Sequence, residues 1–396
     1  MVAKIAVIGA GWWGQGWHIP AIHQNPNAEL VAIVDPSSHP QSTLTNTLES
    51  LETLKDKYKT KIFSSVSEML NDVGEDLDGV IVSTPHSTHY HIGSLIYRYQ
   101  DEQQSPRNDV HKPIHILMEK PMTTEIGHAL KLCDLVQKHD RSNFWINHSA
   151  NFRAQALLAK QNMPKIGTLL HVSSSFASPV MWVFEEPKNT GWNVPTGTMQ
   201  GNGFAWGQQS HLLAWIYFVC GVDDLKPLKV FCNMNHTPKT GADISHSACI
   251  SCVNNVVFNL SGTALLPGSE YAHVRIGKQV RIQIYGSKGA ILYEGDDEFP
   301  DSGKLEYRAA DGSTEVLHDS FQFENATTEG CGPESVANFV QMCCSGSNGG
   351  TKKGGVSGTN EIYNCADARV GLRTVQTLEA MYRSHASQSL VDIRDT

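Results

Sequence analysis

Gly9-Ala10-Gly11-Trp12-Trp13-Gly14 stands directly after an apolar run at 3–8 and opens a helical pattern that continues through Ile22. A lone G-x-G-x-x-G is a weak signal. This one has a strand pattern before it, a helix pattern after it, and Asp35 at the end of the next apolar run, which is the context a dinucleotide site requires. The chemistry is direct. Gly9 permits the tight turn, Gly11 lets the backbone approach a pyrophosphate, and Gly14 lets helix and strand pack closely. The N–H groups of the helix start then face the anion. Trp12 and Trp13 are unusual in such a turn and are expected beside the cofactor or packed on the second domain. Asp35 is expected to accept hydrogen bonds from the adenosine ribose hydroxyls. Its charge disfavours a 2′-phosphate, so the residues predict NAD. Ser37, Ser38 and His39 leave NADP open should Asp35 turn away.

Three further segments place polar groups at the ends of apolar runs. Ser83-Thr84-Pro85-His86-Ser87-Thr88-His89 closes the run at 80–83, Glu119-Lys120-Pro121 follows the run at 114–118, and Asn151-Phe152-Arg153 opens the second half. Pro121 stiffens the turn that presents Lys120 and biases that lysine away from helix.

Those residues need a scaffold. The β-branched run at 3–8 suits a strand buried on both faces. Further strands are predicted at 29–34, 62–63, 80–83 and 114–118, with helices through Ile22 and over 41–58, 67–71 and 123–139. This βαβ rhythm predicts an α/β Rossmann-type domain with a doubly wound parallel sheet. Residues 100–113 are polar and read as a surface loop. The second half changes character. Strands are predicted at 166–178, 228–236, 244–261, 272–285 and 289–293, with a helix over 207–220. Several of these strands alternate, which predicts an α+β domain with a large, mostly antiparallel sheet open on one face. The composition of 345–358 predicts a flexible loop, and a last helix is predicted over 361–384. The division expected is 1–147 and 148–396.

A chain of 396 residues can bury two cores. Its net charge of -9 argues against a nucleic-acid partner or an anionic membrane surface. No run is apolar for long enough to span a bilayer. A core strand starts almost at the first residue, which leaves no signal segment and predicts a cytoplasmic protein. The nine cysteines are scattered and odd in number, which suits free thiols in a reducing compartment. Cys249 and Cys252 form a CxxC inside an alternating strand pattern, without a second ligand pair at zinc spacing, so no metal site is predicted.

Taken in order and spacing, the segments at 83–89, 119–121 and 151–153 behind the Gly-rich turn resemble the glucose–fructose oxidoreductase / inositol dehydrogenase (Gfo/Idh/MocA) family. The resemblance covers nearly the whole chain, and Glu119-Lys120-Pro121 after a strand is its most specific element. It implies an NAD(P)-dependent dehydrogenase or reductase acting on CH–OH groups of a small-molecule carbohydrate or polyol. The N-terminal domain would bind the cofactor. The C-terminal domain would line the substrate site and support a homo-oligomer. Cofactor contacts are implied at Thr84, Pro85, His89, Glu119 and Lys120, with Lys120 beside the nicotinamide and the reacting hydroxyl. A lysine held there is a sensible electrophile and proton relay.

The family also carries a glycine cluster followed by a helix with an Asp and, four residues later, a His. In Gly201-Asn202-Gly203-Phe204-Ala205-Trp206-Gly207-Gln208-Gln209-Ser210-His211, His211 matches the histidine and Gly207 stands where the Asp is expected. Residues i and i+4 share a helix face, so a carboxylate at 207 would have sat beside the imidazole. Its loss removes an acceptor and a charge that would raise the His pKa. The vacated space either admits a bulkier substrate or is filled by another group, Gln208 and Asn202 being the polar candidates. His211 titrates near working pH and suits the base of a hydride-transfer reaction. Asn151, Arg153 and the aromatics Trp182, Trp192 and Trp206 complete the substrate candidates, because aromatic faces stack on sugar rings. Three readings stand. The first is a hydride transfer between nicotinamide and a sugar, polyol or related hydroxyl or keto compound. The second is an NAD-dependent glycosidase working by transient sugar oxidation. The third is a non-catalytic NAD(P)-binding regulator, favoured by Gly207 and opposed by Lys120.

Overall fold

The structure, a computed structural model, describes residues 1–43, 47–103, 112–268, 277–296, 299, 301–321, 333–345 and 365–394. Most of the loops expected at 100–113 and 345–358 lies outside these residues. So do the first residues of the strand expected from 272 and of the helix expected from 361. The chain divides into two compact units. Met1–Thr123, Gly127–Asn147 and Pro333–Ala368 make the first, and Thr124–Ile126, His148–Gly332 and Arg369–Thr396 make the second.

In the first unit, β1 (Ala3–Ile8), β2 (Ala28–Val34), β3 (Lys61–Phe63), β4 (Gly79–Val82), β5 (His115–Met118) and β6 (Phe144–Ile146) lie in the order β6-β5-β4-β1-β2-β3. All these pairings are parallel. The helices between them are α1 (Ile19–Gln24), α2 (Leu51–Tyr58), α3 (Val66–Val73), α4 (His89–Gln103) and α5 (Ile126–Lys138). The strand order reverses between β1 and β4, the switch point where such sheets hold ligands. Main-chain bonds fix the loops there in a row. Gly9 N–H reaches Val34 O at 2.7 Å, Ser83 N–H reaches Ile8 O at 2.7 Å, Glu119 N–H reaches Val82 O at 2.8 Å, and Asn147 N–H reaches Met118 O at 2.7 Å. The Gly-rich turn, Thr84, Glu119 and Asn147 are therefore brought to one edge by strand register alone.

Serine caps set two helix starts. Ser50 accepts from Thr53 N–H at 3.2 Å and Ser65 from Glu68 N–H at 3.2 Å. The helix expected over 41–58 is thereby limited to Leu51–Tyr58. The helix Pro333–Cys344 and the strand Ala366–Asp367 also belong to this unit, whereas the sequence reading grouped all of 148–396 together. The helix buries Val336, Phe339 and Val340. Phe339 lies so close to β4 that a Cβ at Gly79 would meet its ring at 2.8 Å. The helix expected over 361–384 starts at Ala368 and ends at Ser387, because Ala366–Asp367 pairs with β6 as a strand.

The second unit holds β7 (Leu169–Ala177), β8 (Pro227–His236), β9 (Asp243–Cys252), β10 (Val257–Thr263), β11 (Gln279–Gly286), β12 (Gly289–Asp296), β13 (Gly303–Ala309) and β14 (Thr314–Phe321). Their order is β14-β13-β12-β11-β7-β10-β9-β8, extended at β8 by Val391–Asp392. Only β7 and β10 pair in parallel. The strand expected over 244–261 is two strands, because Asn254 and Asn255 take the left-handed conformation at φ 57° and 61° and turn the chain. Burial alternates along β9 and β10, so Ser247, Cys249, Asn259 and Ser261 face solvent while Ala248, Ile250, Phe258 and Leu260 are buried. Cys249 and Cys252, three residues apart on one strand, point to opposite faces. Helices α6 (Ala154–Asn162), α7 (Met181–Glu185), α8 (Thr190–Asn193) and α9 (Ser210–Cys220) complete this unit; α9 is buried along nearly its whole length. Among the described residues, no helix is long and apolar enough to cross a membrane.

Candidate functional site

The Gly-rich turn has the shape its sequence predicts. Gly9 has φ +102°, and a Cβ there would collide with the Ser83 carbonyl, so only glycine fits. A Cβ at Gly14 would collide with the Gly9 carbonyl, which is the close helix–strand approach. At Gly11 a Cβ would meet nothing within 4 Å, so the space over that residue is open. Asp35 lies against the turn. Its Oδ2 accepts from Ala10 N–H and its Oδ1 from Ser37 N–H, both at 2.9 Å. A glycine cradle open at Gly11, beside a half-buried carboxylate with lone pairs to spare, fits a dinucleotide with free ribose hydroxyls.

The helix that follows departs from a simple α pattern. Gly14–His18 is a π-helix, with Ile19 N–H reaching back five residues to Gly14 O, and only then does α1 begin. Trp12, Trp13 and Trp17 cluster on this segment, with ring centroids 4.2 to 5.0 Å apart.

Lys120 and Glu119 are both buried, at 8% and 9% exposure. The Glu119 side chain turns inward. Its Oε1 lies 2.8 Å from His18 Nε2 and accepts from Asn147 Nδ2 at 2.7 Å, and its Oε2 accepts from the Lys120 main-chain N–H at 3.2 Å. Burial works to raise the Glu119 pKa. The His18 and Asn147 bonds and the Lys120 charge outweigh it and hold the carboxyl below its usual range. The Glu119 side chain, expected at the cofactor, is engaged in this inward network.

His89, also expected at the cofactor, lies against main-chain groups. It is fully buried, with Nδ1 2.9 Å from Pro121 O and Nε2 3.0 Å from Thr84 O. Both ring nitrogens face main-chain carbonyls, so His89 ties the turn after β4 to the turn after β5. Burial lowers its pKa, working against the two carbonyls, which favour the protonated ring. Thr84 is half-buried with its hydroxyl 2.8 Å from that of Thr88, and Pro85 is exposed. His86 is pushed down to about 3 by burial, with His89 and the Lys120 charge adding in the same direction.

In the second unit the residues after 148 gather around α9. His211 is half-buried at its start, and the fully buried His148 stands edge-on to it, with ring centroids 5.5 Å apart and planes at 89°. Asn151 donates through Nδ2 to Ala214 O at 3.1 Å and is fully buried, so it fastens the 149–152 turn to α9. Asn202 donates to Gly191 O at 3.1 Å and Val194 O at 3.0 Å, which fixes α8 against the glycine cluster. Trp206 is 2% exposed and stacks on Tyr382 with planes 12° apart. These three residues, expected to meet substrate, are held in the core by packing and main-chain bonds. Arg153 is also buried, at 8% exposure. Trp182, Trp192 and Gln208 remain partly exposed.

The position of the expected carboxylate is crowded. A Cβ at Gly207 would meet ring carbons of Phe184 and Trp192, each at 3.3 Å, tighter than ordinary contact. The segment Ala205–Gln209 is again a π-helix, with Ser210 N–H reaching Ala205 O. Its start is held by Asp243. This fully buried carboxylate accepts from Ala205 N–H at 2.9 Å and from the Tyr382 hydroxyl. Burial pushes Asp243 up to about 6.

The sequence reading missed His18, Asn147, His148, Asp243 and Tyr382. His18 carried a signal, since a histidine on an otherwise apolar stretch of helix must find a buried partner. Nothing in the local sequence singles out the other four; Tyr382 lies inside the helix expected over 361–384.

Comparison with known proteins agrees with this geometry. The model of the GFO/IDH/MocA oxidoreductase family's NAD-binding Rossmann fold matches residues 3–148, and that of its C-terminal domain matches 154–292. No curated protein matches the chain in sequence. An oxidoreductase from Agrobacterium radiobacter, solved with NAD+, L-tartaric acid and magnesium, is similar with TM-score 0.70 at 15% identity, covering 99% of each chain. The WlbA dehydrogenase of Chromobacterium violaceum, solved with NADH and UDP-GlcNAcA, has TM-score 0.67 at 18% identity, over 100% of this chain and 97% of that one. A myo-inositol 2-dehydrogenase from Lactobacillus plantarum has TM-score 0.67 at 16% identity over 100% of both. At such identities the likeness shows the fold. The two family models together span most of the chain, which therefore belongs to the GFO/IDH/MocA family of NAD-binding oxidoreductases.

Proposed function

We propose that the protein transfers a hydride between NAD and a sugar, polyol or related hydroxyl or keto compound. The observation that carries the reading is Lys120, buried at the β5 edge of a Rossmann unit whose Gly-rich turn and Asp35 fit the dinucleotide. NAD, when bound, supplies the hydride acceptor or donor. Gly9, Gly11 and Gly14 shape its cradle, and Asp35 favours NAD over NADP by repelling a 2′-phosphate. We assign Lys120 the polarisation of the reacting oxygen, and His211 the exchange of its proton. Trp182, Trp192, Arg153 and Gln208 are the substrate contacts this reading retains. It also carries a cytoplasmic location, supported by free cysteines such as Cys220 and Cys232. A homo-oligomer is supported by apolar residues such as Phe231 and Val257 on the solvent face of the second sheet.

One observation favours a second reading, a cofactor-binding regulator without turnover: Phe184 and Trp192 crowd position 207, where the family's carboxylate is expected. The test is NAD+ reduction and NADH oxidation across a panel of sugars, polyols and keto-sugars, with Lys120→Ala and His211→Ala beside the wild type. Turnover that falls on the order of 10²-fold in each variant supports the assignment. NADH binding with no turnover on any compound moves the protein to the second reading.

A further inference from the structure

Lys120 is presented by a turn whose neighbouring carboxylate is held from two distant elements. His18 comes from the π-helix behind the Gly-rich turn and is 1% exposed, and Asn147 follows β6 and is 5% exposed. Both meet Glu119 on the same oxygen, and the other oxygen takes the Lys120 main-chain N–H. A carboxylate this deeply buried is costly to ionise unless donors surround it. Here three donors converge on it, one of them a histidine 101 residues away in sequence. The π-helix is part of the arrangement. One residue more than an α-turn rotates all that follows by about 100° around the helix axis.

We propose that His18 is a positioning residue for Lys120: through Glu119 it fixes the lysine's turn and maintains a negative charge beside the ammonium group. The functional weight of this rests on the role assigned to Lys120 above; the ionisation of Lys120 can be read without turnover. The titratable groups around that ammonium are consistent with it. Glu119 feels the Lys120 charge and is kept ionised. His86 also feels it and is kept neutral by burial, and both ring nitrogens of His89 lie against the carbonyls of Thr84 and Pro121. His18 and Asn147 complete the set by holding Glu119 from the far side.

The test is competitive acetylation of the full-length protein with acetic anhydride from pH 6 to 11, with Lys120 quantified by peptide mass spectrometry. Glu119→Gln removes the charge and should lower the apparent Lys120 pKa by about one unit, a tenfold rise in labelling at fixed pH below it. His18→Gln places an amide N–H near the position of Nε2 and should stay close to wild type. His18→Asn is polar but too short to reach Glu119, and should shift Lys120 in the same direction as Glu119→Gln. A purely structural role would lower the melting temperature of both His18 variants and leave the labelling profile unmoved; that outcome overturns the proposal. So does a Lys120 profile in Glu119→Gln identical to wild type, which is read even if a His18 variant fails to fold. Loss of turnover in Lys120→Ala tests the catalytic reading separately, so the two can fail independently.

Discussion

Restoring the family's carboxylate with Gly207→Asp should destabilise this protein, and the structure sets the size. A Cβ at this position lies 3.3 Å from both Phe184 Cζ and Trp192 Cε3, tighter than ordinary contact. Forcing it in costs about 1–3 kcal/mol, as overpacking does. The carboxylate beyond it would lie among aromatic rings. It can avoid ionising there by taking a proton, and the cost of that proton caps the electrostatic term at about 4 kcal/mol at pH 7. With the carboxyl neutral in the fold the total is therefore roughly 5–7 kcal/mol at pH 7. Gly207→Ala meets the same contact without the charge and gains up to about 1 kcal/mol of helix propensity, so it should lie between about 0 and 3 kcal/mol below wild type. The sign with pH follows from the raised folded-state pKa. The neutral form is favoured in the fold, so the penalty is smallest near pH 4 and grows as pH rises, from about 1.5 kcal/mol at pH 5 to about 4 at pH 7. Urea unfolding followed by tryptophan fluorescence at both pH values measures it. In a Phe184→Ala background the space is opened, and the Asp penalty should shrink by at least about 1 kcal/mol as a coupling energy. A Gly207→Asp protein as stable as wild type at pH 7 would refute the packing argument, and one with the same deficit at both pH values would refute the burial of the carboxyl.

Three other outcomes follow from the same geometry. Gly9→Ala, which places a Cβ against the Ser83 carbonyl at a left-handed φ, should weaken NADH binding at least tenfold in a fluorescence titration; unchanged affinity would remove the turn from the cofactor site. His86 and His246 are pushed down to about 3, and His115 to about 4, chiefly by burial. Their neutral forms contribute stability that is present above pH ~6.5 and lost as pH falls, each about 2 kcal/mol by pH 5. Circular dichroism should show acid unfolding between about pH 5 and 4, and a protein still folded at pH 3.5 contradicts this. Asp243 behaves oppositely, since burial pushes it up to about 6. Its contribution is fully present below about pH 4 and lost as pH rises through 6, about 3 kcal/mol in all. The stability difference between Asp243→Asn and wild type should thus grow in favour of the variant from pH 4 to 7, whereas a difference independent of pH would show that Asp243 titrates normally.

Much of the first unit was legible because its signals are local. A β-branched run, three glycines at fixed offsets and a carboxylate at the next strand end each state their own conformation, and the structure places Gly9, Gly11, Gly14 and Asp35 accordingly. Helix boundaries were less legible. The patterned stretch at 41–58 shortens to Leu51–Tyr58, where Ser50 supplies the cap. The polar strands β13 and β14 lack the β-branched density that would have marked them. In the second unit the open sheet was readable from alternation, while the split of 244–261 depended on two asparagines able to turn left-handed.

The sequence by itself determined the cofactor cradle, the turn that carries Lys120, the helix that carries His211 and the absence of an aspartate at Gly207, because each depends on residues close together in the chain. Tertiary structure decided what surrounds them. It buried Trp206, Asn151 and Asn202 and brought Phe184 and Trp192 close over Gly207. It also joined His18 to Glu119 across 101 residues and Asp243 to Tyr382 across 139. Such pairings are set by strand order and by which core a segment joins. Neither leaves a periodicity in the chain, so the charges that tune this site became visible only once the fold had closed around them.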